Sequence, residues 1–163
     1  MFLRIDKKLL SDQGKKELAV ISKTAVATAG PNAFAGGDYA YQAGCTANVI
    51  LVTENYIYCA NAGDARGVLS EKGKAIDLSK DHKPDLPHER SRVLAAGHHV
   101  EDGRVDGVIA ISRAIGDWEY KSATLEPEKM AVSAFPDVSK TAITKDTEFV
   151  ICACDGIWDC MTS

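Results

Sequence analysis

Residues 46–60 read TANVILVTENYIYCA, and this stretch decides the fold. Residues 46–53 are rich in valine, isoleucine and leucine, which is typical of a buried strand. Residues 56–60 combine aromatic and β-branched side chains and are predicted to form a second strand. Asn55 lies at the turn between the two runs. The stretch therefore predicts an antiparallel hairpin in the first half of the chain.

Further strand signals follow this hairpin. Strands are predicted at 66–69, 75–78, 130–134 and 148–154. Glu71-Lys72-Gly73-Lys74 has the composition of a hairpin turn, and Asp102-Gly103 is a second predicted turn. Consecutive strands joined by short turns favour antiparallel pairing over an alternation of parallel strands and helices.

Helices are predicted at two places. Leucine and isoleucine recur at helical spacing over the first twenty or so residues, with Gly14 as a weak point. A second helix is predicted at 88–96, with Pro87 in its first turn and Gly97 ending it. The Gly-rich residues 28–44 are predicted to be a loop. The fold class is therefore α+β.

Composition restricts the function classes. The chain has 163 residues, enough for one domain with a substantial core, and a net charge of −4. A mildly acidic chain lacks the basic footprint of a nucleic-acid-binding protein. No apolar run is long enough to cross a bilayer, and the charged start does not resemble a signal peptide. The odd count of five cysteines indicates reduced thiols and a cytoplasmic or nuclear location.

Two aspartates stand where predicted strands end. Asp64 follows Asn61-Ala62-Gly63, and Asp155 follows the apolar run 148–154. Asp159 comes four residues after Asp155, so a helix starting at Gly156 would place both carboxylates on one side of its first turn. Carboxylate oxygens are the ligands that Mg²⁺ and Mn²⁺ prefer. Taken singly, each aspartate also suits a turn or a helix cap.

Cysteine and histidine offer a different metal chemistry. Cys152 and Cys154 could form half of a zinc site, but the chain has no Cys-x-x-Cys pair, and small buried core residues are the simpler interpretation. The four histidines lie in one charged region, and in such a region histidines are usually surface residues. They are His82, His88, His98 and His99. A zinc- or histidine-based metal sensor is the hypothesis ranked last.

Six segments occur together in the order and with the spacing of a known family. They are GCTA at 44–47, NAGDAR at 61–66, LSKDHKP at 78–84, RVDG at 104–107, ISRAIGD at 111–117 and ACDGIWD at 153–159. In these segments the chain resembles the type 2C (PPM) family of metal-dependent serine/threonine protein phosphatases. The resemblance runs from about residue 44 to the end. It implies a sandwich of two antiparallel β-sheets flanked by helices, here incomplete.

The resemblance also implies a chemistry and its residues. Members of the family hydrolyse phosphoserine and phosphothreonine in phosphoprotein substrates, using two Mn²⁺ or Mg²⁺ ions to activate a water for in-line attack. Asp155 is implied as a ligand of one core ion, and Asp64 and Asp159 join it at a third metal site. Thr46 is implied as a water-positioning hydroxyl and Arg104 as a substrate-side arginine. An ordinary strand threonine and a solvated arginine stay open as alternatives.

Part of the family pattern is not found in these residues. Residues 1–163 are expected to form a single partial phosphatase domain with a flap subdomain at about 81–104, where His98-His99 replaces residues that are often glycine in relatives. The upstream Met-Glu-Asp and Asp-Gly-His-Gly-Gly motifs, a phosphate-binding arginine and the last metal-binding aspartate are not among them.

These differences lead to two expectations. Residues 1–163 alone are expected to have little or no phosphatase activity, whereas a parent protein that carries the missing ligands is expected to be active. Exposed sheet edges are expected to favour self-association or a partner chain. The alternative function is a non-catalytic, pseudophosphatase-like domain that binds proteins.

Overall fold

The computed structural model describes residues 1–29 and 42–163. Its helices are α1 at Phe2–Leu9, α2 at Asp12–Ala29, α3 at Pro87–Ala95 and α4 at Asp155–Trp158, with short 3-10 helices at Trp118–Tyr120 and Pro127–Lys129. Its strands are β1 at Gly44–Cys45, β2 at Ala47–Val52, β3 at Tyr56–Ala62, β4 at Arg66–Glu71, β5 at Lys74–Asp77, β6 at Val100–Glu101, β7 at Arg104–Val105, β8 at Ile115–Gly116, β9 at Asp137–Ala142 and β10 at Thr147–Ala153.

Two antiparallel sheets of three strands form the centre of the fold. One has the order β2–β3–β9 and the other the order β10–β4–β5. Val52 pairs with Ile57 across the first hairpin, so the turn predicted around Asn55 is confirmed. The predicted turn between β4 and β5 is also confirmed, with φ of 51° at Lys72 and 68° at Gly73.

The sheets pack face to face through apolar side chains. Ile57 and Cys59 of β3 contact Leu69 of β4 and Leu78, and Ile50 and Val150 pack against this cluster. Helix α1 adds Phe2, which packs on Ala62 and Ile115. Burying an aliphatic side chain of this size stabilises the fold by about 1.5–3 kcal/mol. The predicted sandwich of two antiparallel sheets with flanking helices is confirmed.

A second apolar cluster holds α3 and the β6–β7 hairpin. Its buried residues are Val93, Val105, Ala114, Tyr120, Ala131 and Val132. The predicted helix is confirmed, with Pro87 in its first turn and Gly97 directly after its cap at φ 89°. The predicted Asp102-Gly103 turn joins β6 to β7, at φ of 50° and 72°. Whether residues 81–104 move as a flap stays a prediction.

The strand predicted at 130–134 is wrong. These residues are buried, but within the described residues their β pairing is limited to one isolated bridge between Ser133 and Arg113, which lies outside any strand. A run of apolar residues buried in an irregular connection gives the same sequence signal as a buried strand. The strand forms later, as β9, whose mixed sequence DVSKTA and largely exposed side chains carry little hydrophobic signal.

The opening helical prediction is confirmed with a different break point. The chain turns at Leu10–Ser11, where the Ser11 hydroxyl accepts a hydrogen bond from the Gly14 amide at 3.1 Å. Gly14 is required by close packing, because a Cβ there would lie 2.2 Å from the Lys8 carbonyl oxygen. Of the loop predicted at 28–44, residues 30–41 lie outside the described residues, and residues 28 and 29 belong to α2.

The sequence overestimates side-chain burial in strand β2 and among the cysteines. In β2, Leu51 and Val52 are 59% and 60% exposed. The face that carries Leu51 lacks a packing layer in the described part of the chain, and Val52 is the last residue of the strand. Cys152 and Cys154, expected to be small buried core residues, are both exposed, whereas Cys59 is buried. No helix within residues 1–29 and 42–163 combines the length and the apolar character needed to cross a membrane.

Candidate metal site at one end of the sandwich

Strands β4 and β10 bring the predicted metal ligands to the same end of their sheet. The two strands are antiparallel, and Arg66 pairs with Ala153. Asp64 lies two residues before that pair and Asp155 two residues after it. Asp155 is the first residue of α4, and the Asp159 amide, at the end of that helix, donates to the Asp155 carbonyl at 2.7 Å. All three predicted carboxylates therefore lie at one end of the sandwich.

A lysine already pairs with one of these carboxylates. The Lys83 ammonium donates to Asp64 Oδ2, and the Asp64 side chain is only 7% exposed. Burial alone would lower the pKa of Lys83, but the hydrogen bond and charge of Asp64, with the charges of Asp159 and Asp81, raise it above its usual value. The acidic end of the sheet therefore attracts a cation, and in this structure the cation is Lys83.

The Gly63 turn fixes the backbone of Asp64. Gly63 has φ 117°, and a Cβ built on it would lie 2.3 Å from the Thr46 methyl carbon. Its carbonyl accepts from the Asn61 side-chain amide at 3.0 Å and from the His82 amide at 3.1 Å. Only glycine fits this conformation and this contact without strain. Thr46 thus lies against the turn that carries Asp64, and the role of its hydroxyl in positioning a water stays a prediction.

Arg66 of β4 contacts the ring of Trp158 in α4, and a bidentate ion pair with Asp81 holds its guanidinium in place. Arg66 donates from Nε and Nη2 to the two Asp81 oxygens, each at 2.9 Å, and its guanidinium lies 5.2 Å from the Trp158 ring centre. Trp158 Nε1 donates to the Ala153 carbonyl at 2.8 Å. These contacts set the position of the helix that carries Asp155, and they pair the charge of Asp81 internally.

The donor set fits a hard divalent cation in chemistry and charge. Asp64, Asp155 and Asp159 contribute three carboxylates against the one ammonium of Lys83, which leaves an excess of negative charge for a cation to neutralise. The arrangement is not a finished ligand set, because no group of three His, Cys, Asp or Glu side chains within the described residues lies close enough to hold a metal ion. Movement of Lys83 away from Asp64 would free one ligand.

Arg104 lies apart from these carboxylates. It begins β7 in the short hairpin, is exposed, and donates from Nη1 to the Val108 carbonyl at 2.7 Å. In the described residues its hydrogen bonds reach neither Asp64 nor Asp155 nor Asp159. A substrate-side role for Arg104 therefore stays a prediction.

The histidines do not share one environment. His82 is buried, which corrects its predicted surface position. His98 and His99 both contact Asp106, with Nδ1 at 2.7 and 3.0 Å from its two oxygens, and His88 pairs with Glu89. The hydrogen bonds from the His99 amide and from His98 outweigh burial and lower the pKa of Asp106.

Sequence reasoning missed the residues that position the carboxylates. Lys83, Asp81, Arg66 and Trp158 all lie inside matched motif segments, but no role was assigned to them. The signal that could have found Lys83 and Asp81 is the charged run Lys80-Asp81-His82-Lys83, which is unusual directly after a predicted strand.

Comparison with known proteins identifies the family. The family model "Protein phosphatase 2C" matches residues 3–163. The chain is 59% identical over 120 residues to "Protein phosphatase 2C homolog 3" of Schizosaccharomyces pombe, covering 74% of this chain and 29% of that protein. It is 44% identical over 159 residues to "Probable protein phosphatase 2C 3" of Paramecium tetraurelia, covering 97% and 49%.

A solved structure shows the same fold. The serine-threonine phosphatase 2C of Toxoplasma gondii superposes with a TM-score of 0.65 at 21% identity, covering 92% of this chain and 49% of that one. The chain spans less than half the length of the relatives it matches. With the family model matched over almost all of its residues, the chain belongs to the protein phosphatase 2C family.

Proposed function

We propose that the protein containing these residues is a serine/threonine protein phosphatase that hydrolyses phosphoserine and phosphothreonine on protein substrates. The observation that carries the proposal is the convergence of Asp64, Asp155 and Asp159 at one end of the sandwich, in a chain of this family. The relatives named as phosphatases do not favour the alternative of a non-catalytic protein-binding domain. A location in the cytoplasm or nucleus stays a prediction.

The family is metal-dependent in general, with Mg²⁺ or Mn²⁺. We propose Asp155 as a ligand of a core ion and Asp64, Asp155 and Asp159 as the ligands of a further ion. When bound, such ions supply positive charge that activates water and balances the phosphoryl oxygens.

The residues of this chain have separate tasks in the proposed reaction. Asp155 starts α4, so the helix contacts of Arg66 and Trp158 hold its carboxylate at the sheet end. Asp64 is held by the Gly63 turn, and Lys83 neutralises it until a cation takes its place. Arg104, in the hairpin, is proposed to contact the substrate phosphate, since a guanidinium binds phosphoryl oxygens in a bidentate way.

The test is hydrolysis of a phosphothreonine peptide by the product of the longest open reading frame that contains these residues. Turnover is expected with Mn²⁺ and is expected to stop with EDTA. Asp155→Asn should lower the rate by at least about 100-fold, because a charged ligand is lost. Asp146→Asn is the matched control, since Asp146 lies at the opposite end of the sheet and pairs with Lys72.

Two outcomes would contradict the proposal. One is peptide binding without turnover by the full reading frame, which would support a binding domain. The other is full activity in the Asp155→Asn variant. Residues 1–163 alone are expected to show little or no turnover in the same assay.

A further inference from the structure

His82 lies directly against the turn that carries Asp64. The histidine is 1% exposed and is bonded to Gly63 through its main chain and its ring. Its amide donates to the Gly63 carbonyl at 3.1 Å, and its Nδ1 accepts from the Gly63 amide at 3.1 Å. The next residue of each segment pairs as well, through side chains, because the Lys83 ammonium binds the Asp64 carboxylate. Two dipeptides, 63–64 and 82–83, are thus matched residue by residue.

The ring needs one particular tautomer for this contact. Nδ1 lies 3.1 Å from both the amide nitrogen and the carbonyl oxygen of Gly63, so distance alone does not fix the proton. Nε2, however, faces Asp137 Oδ2 at 3.1 Å, and a carboxylate only accepts hydrogen bonds. Nε2 therefore carries the proton, which leaves the Nδ1 lone pair for the Gly63 amide.

A neutral ring is consistent with its surroundings. Burial, and then the charge of Arg113, lower the pKa of His82, against the opposing effects of Asp137 and Glu89. The doubly protonated ring would turn Nδ1 into a donor facing the Gly63 amide, which is itself a donor. That contact would be lost, and the amide would stay buried without an acceptor.

Asp137 is itself held in place by a chain of charges. Arg113 donates from Nη1 to Asp137 Oδ1 at 2.7 Å and from Nη2 to Glu89 Oε1 at 2.6 Å. Glu89, in α3, is fully buried and also accepts from Arg92 at 2.6 Å and from the Ser112 hydroxyl at 2.5 Å. The orientation of the His82 ring is therefore fixed by α3 and by the start of β9.

We propose that His82 is a positioning residue that holds Asp64 in place for cation binding, with Asp137 setting its tautomer. The inference rests on the proposed function, in which Asp64 is a metal ligand. His82 touches neither substrate nor cation in this assignment. It acts on the Gly63 backbone, and so on the carboxylate that follows.

Two substitutions separate the ring contacts. His82→Asn places a side-chain oxygen near the Nδ1 position and keeps an acceptor for the Gly63 amide, but loses the Asp137 contact. His82→Gln reaches the Nε2 position and keeps a donor for Asp137, but loses the Gly63 contact. The measurements on residues 1–163 are hydrogen exchange of the Gly63 amide and Mn²⁺ binding by electron paramagnetic resonance.

In His82→Gln we expect the Gly63 amide to exchange about tenfold faster than in His82→Asn, as the loss of one hydrogen bond implies. Mn²⁺ binding should be weakened about tenfold or more in His82→Gln relative to His82→Asn, the size of effect seen for outer-shell partners of a metal site. A role in stability alone would lower the melting temperature of both variants without this difference between them. Equal exchange rates, or equal Mn²⁺ affinities, would overturn the proposal.

The unsubstituted protein gives a second test that does not depend on the folding of any variant. The ¹⁵N spectrum of the His82 ring should show a protonated Nε2 and an unprotonated Nδ1 at neutral pH, and the opposite tautomer would overturn the proposal. These readouts do not use phosphatase activity. If His82→Gln and His82→Asn do not differ but the full reading frame shows turnover, the positioning role alone is rejected. If the two variants differ as expected but the full reading frame shows no turnover, the proposed function alone is rejected.

Discussion

Gly63 decides where the Asp64 carboxylate lies. Its φ of 117° is a conformation that side chains rarely adopt, and the Thr46 methyl group fills the space where a Cβ would stand. Gly73 is a natural comparison, because it also has a positive φ, 68°, but no atom of the described residues lies within 4 Å of its Cβ position. Conformational strain and crowding can therefore be separated by substituting the two glycines in turn.

Gly63→Ala should destabilise the fold by about 3 kcal/mol or more, since strain and overpacking each cost about 1–3 kcal/mol. Gly73→Ala should cost only about 1 kcal/mol, because strain alone applies there. Urea unfolding followed by circular dichroism measures both. Equal losses in the two variants would show that the contact with Thr46 is unimportant.

Lys83 competes with divalent cations for Asp64. Lys83→Met removes the ammonium and should strengthen Mn²⁺ binding about fivefold, since a half-exposed ion pair contributes up to about 1 kcal/mol. Lys80→Met is the control, because Lys80 is exposed and has the same charge. Calorimetric titration with Mn²⁺ measures the difference. Weaker binding in Lys83→Met than in Lys80→Met would mean that Lys83 supports the cation instead of competing with it.

At the residue scale, the sequence predicted the strand-end positions of the carboxylates but not the residues that hold them in place. Asp64 and Asp155 were recognisable because each follows a strand signal, which is local information. The burial of His82 and the pairing of Lys83 depend on contacts 19 residues apart along the chain. The residue pattern around a position does not reveal such long-range contacts. Both residues were therefore interpreted as part of a charged surface segment.

Helix α3 is anchored by a buried charge network. Glu89 is fully buried between Arg113 and Arg92. Burial alone would raise the pKa of Glu89, but hydrogen bonds from Arg92, Arg113 and Ser112 outweigh it and hold the pKa at about 2. A carboxyl group with a depressed pKa stabilises the fold above its unfolded pKa, and this contribution is lost as the pH falls through the folded value.

Glu89→Gln should therefore destabilise the fold by about 3–5 kcal/mol at neutral pH, because it leaves buried arginine charge uncompensated. The penalty should shrink as the pH falls from about 4.5 towards 2, where Glu89 itself takes up a proton. Denaturant unfolding at several pH values measures this. Glu128→Gln, on the exposed 3-10 helix, is the control. A penalty that does not depend on pH would show that the charge of Glu89 is not what anchors α3.

The secondary-structure elements were predicted correctly where the periodicity of apolar residues agrees with the turn and cap residues at its ends. The first hairpin, the turn before β5 and helix α3 each combine a periodic run with a Gly, Pro or Asn boundary. The strand expected at 130–134 failed because buried irregular segments are as apolar as strands. Strand β9 was missed because its side chains are mixed and largely exposed, so its sequence lacks the apolar signal of a buried strand.

At the scale of the whole molecule, the described residues form a sandwich with an acidic end and with exposed apolar side chains on both sheets. Val52 of β2 and Phe149 of β10 are 60% and 58% exposed. Self-association or a partner chain, expected from such surfaces, stays a prediction. The position of the acidic end does not depend on these exposed side chains, because its carboxylates are placed by β4, β10 and α4.

The central claim is that Asp64, Asp155 and Asp159 share one cation site, and paramagnetic broadening by Mn²⁺ tests it most directly. In amide spectra of residues 1–163, the signals of residues 63–66 and 154–160 should broaden together at the lowest Mn²⁺ concentration, and Asp155→Asn should abolish the effect on both segments. Broadening of one segment without the other, or earlier broadening around His98 and His99, would contradict the account.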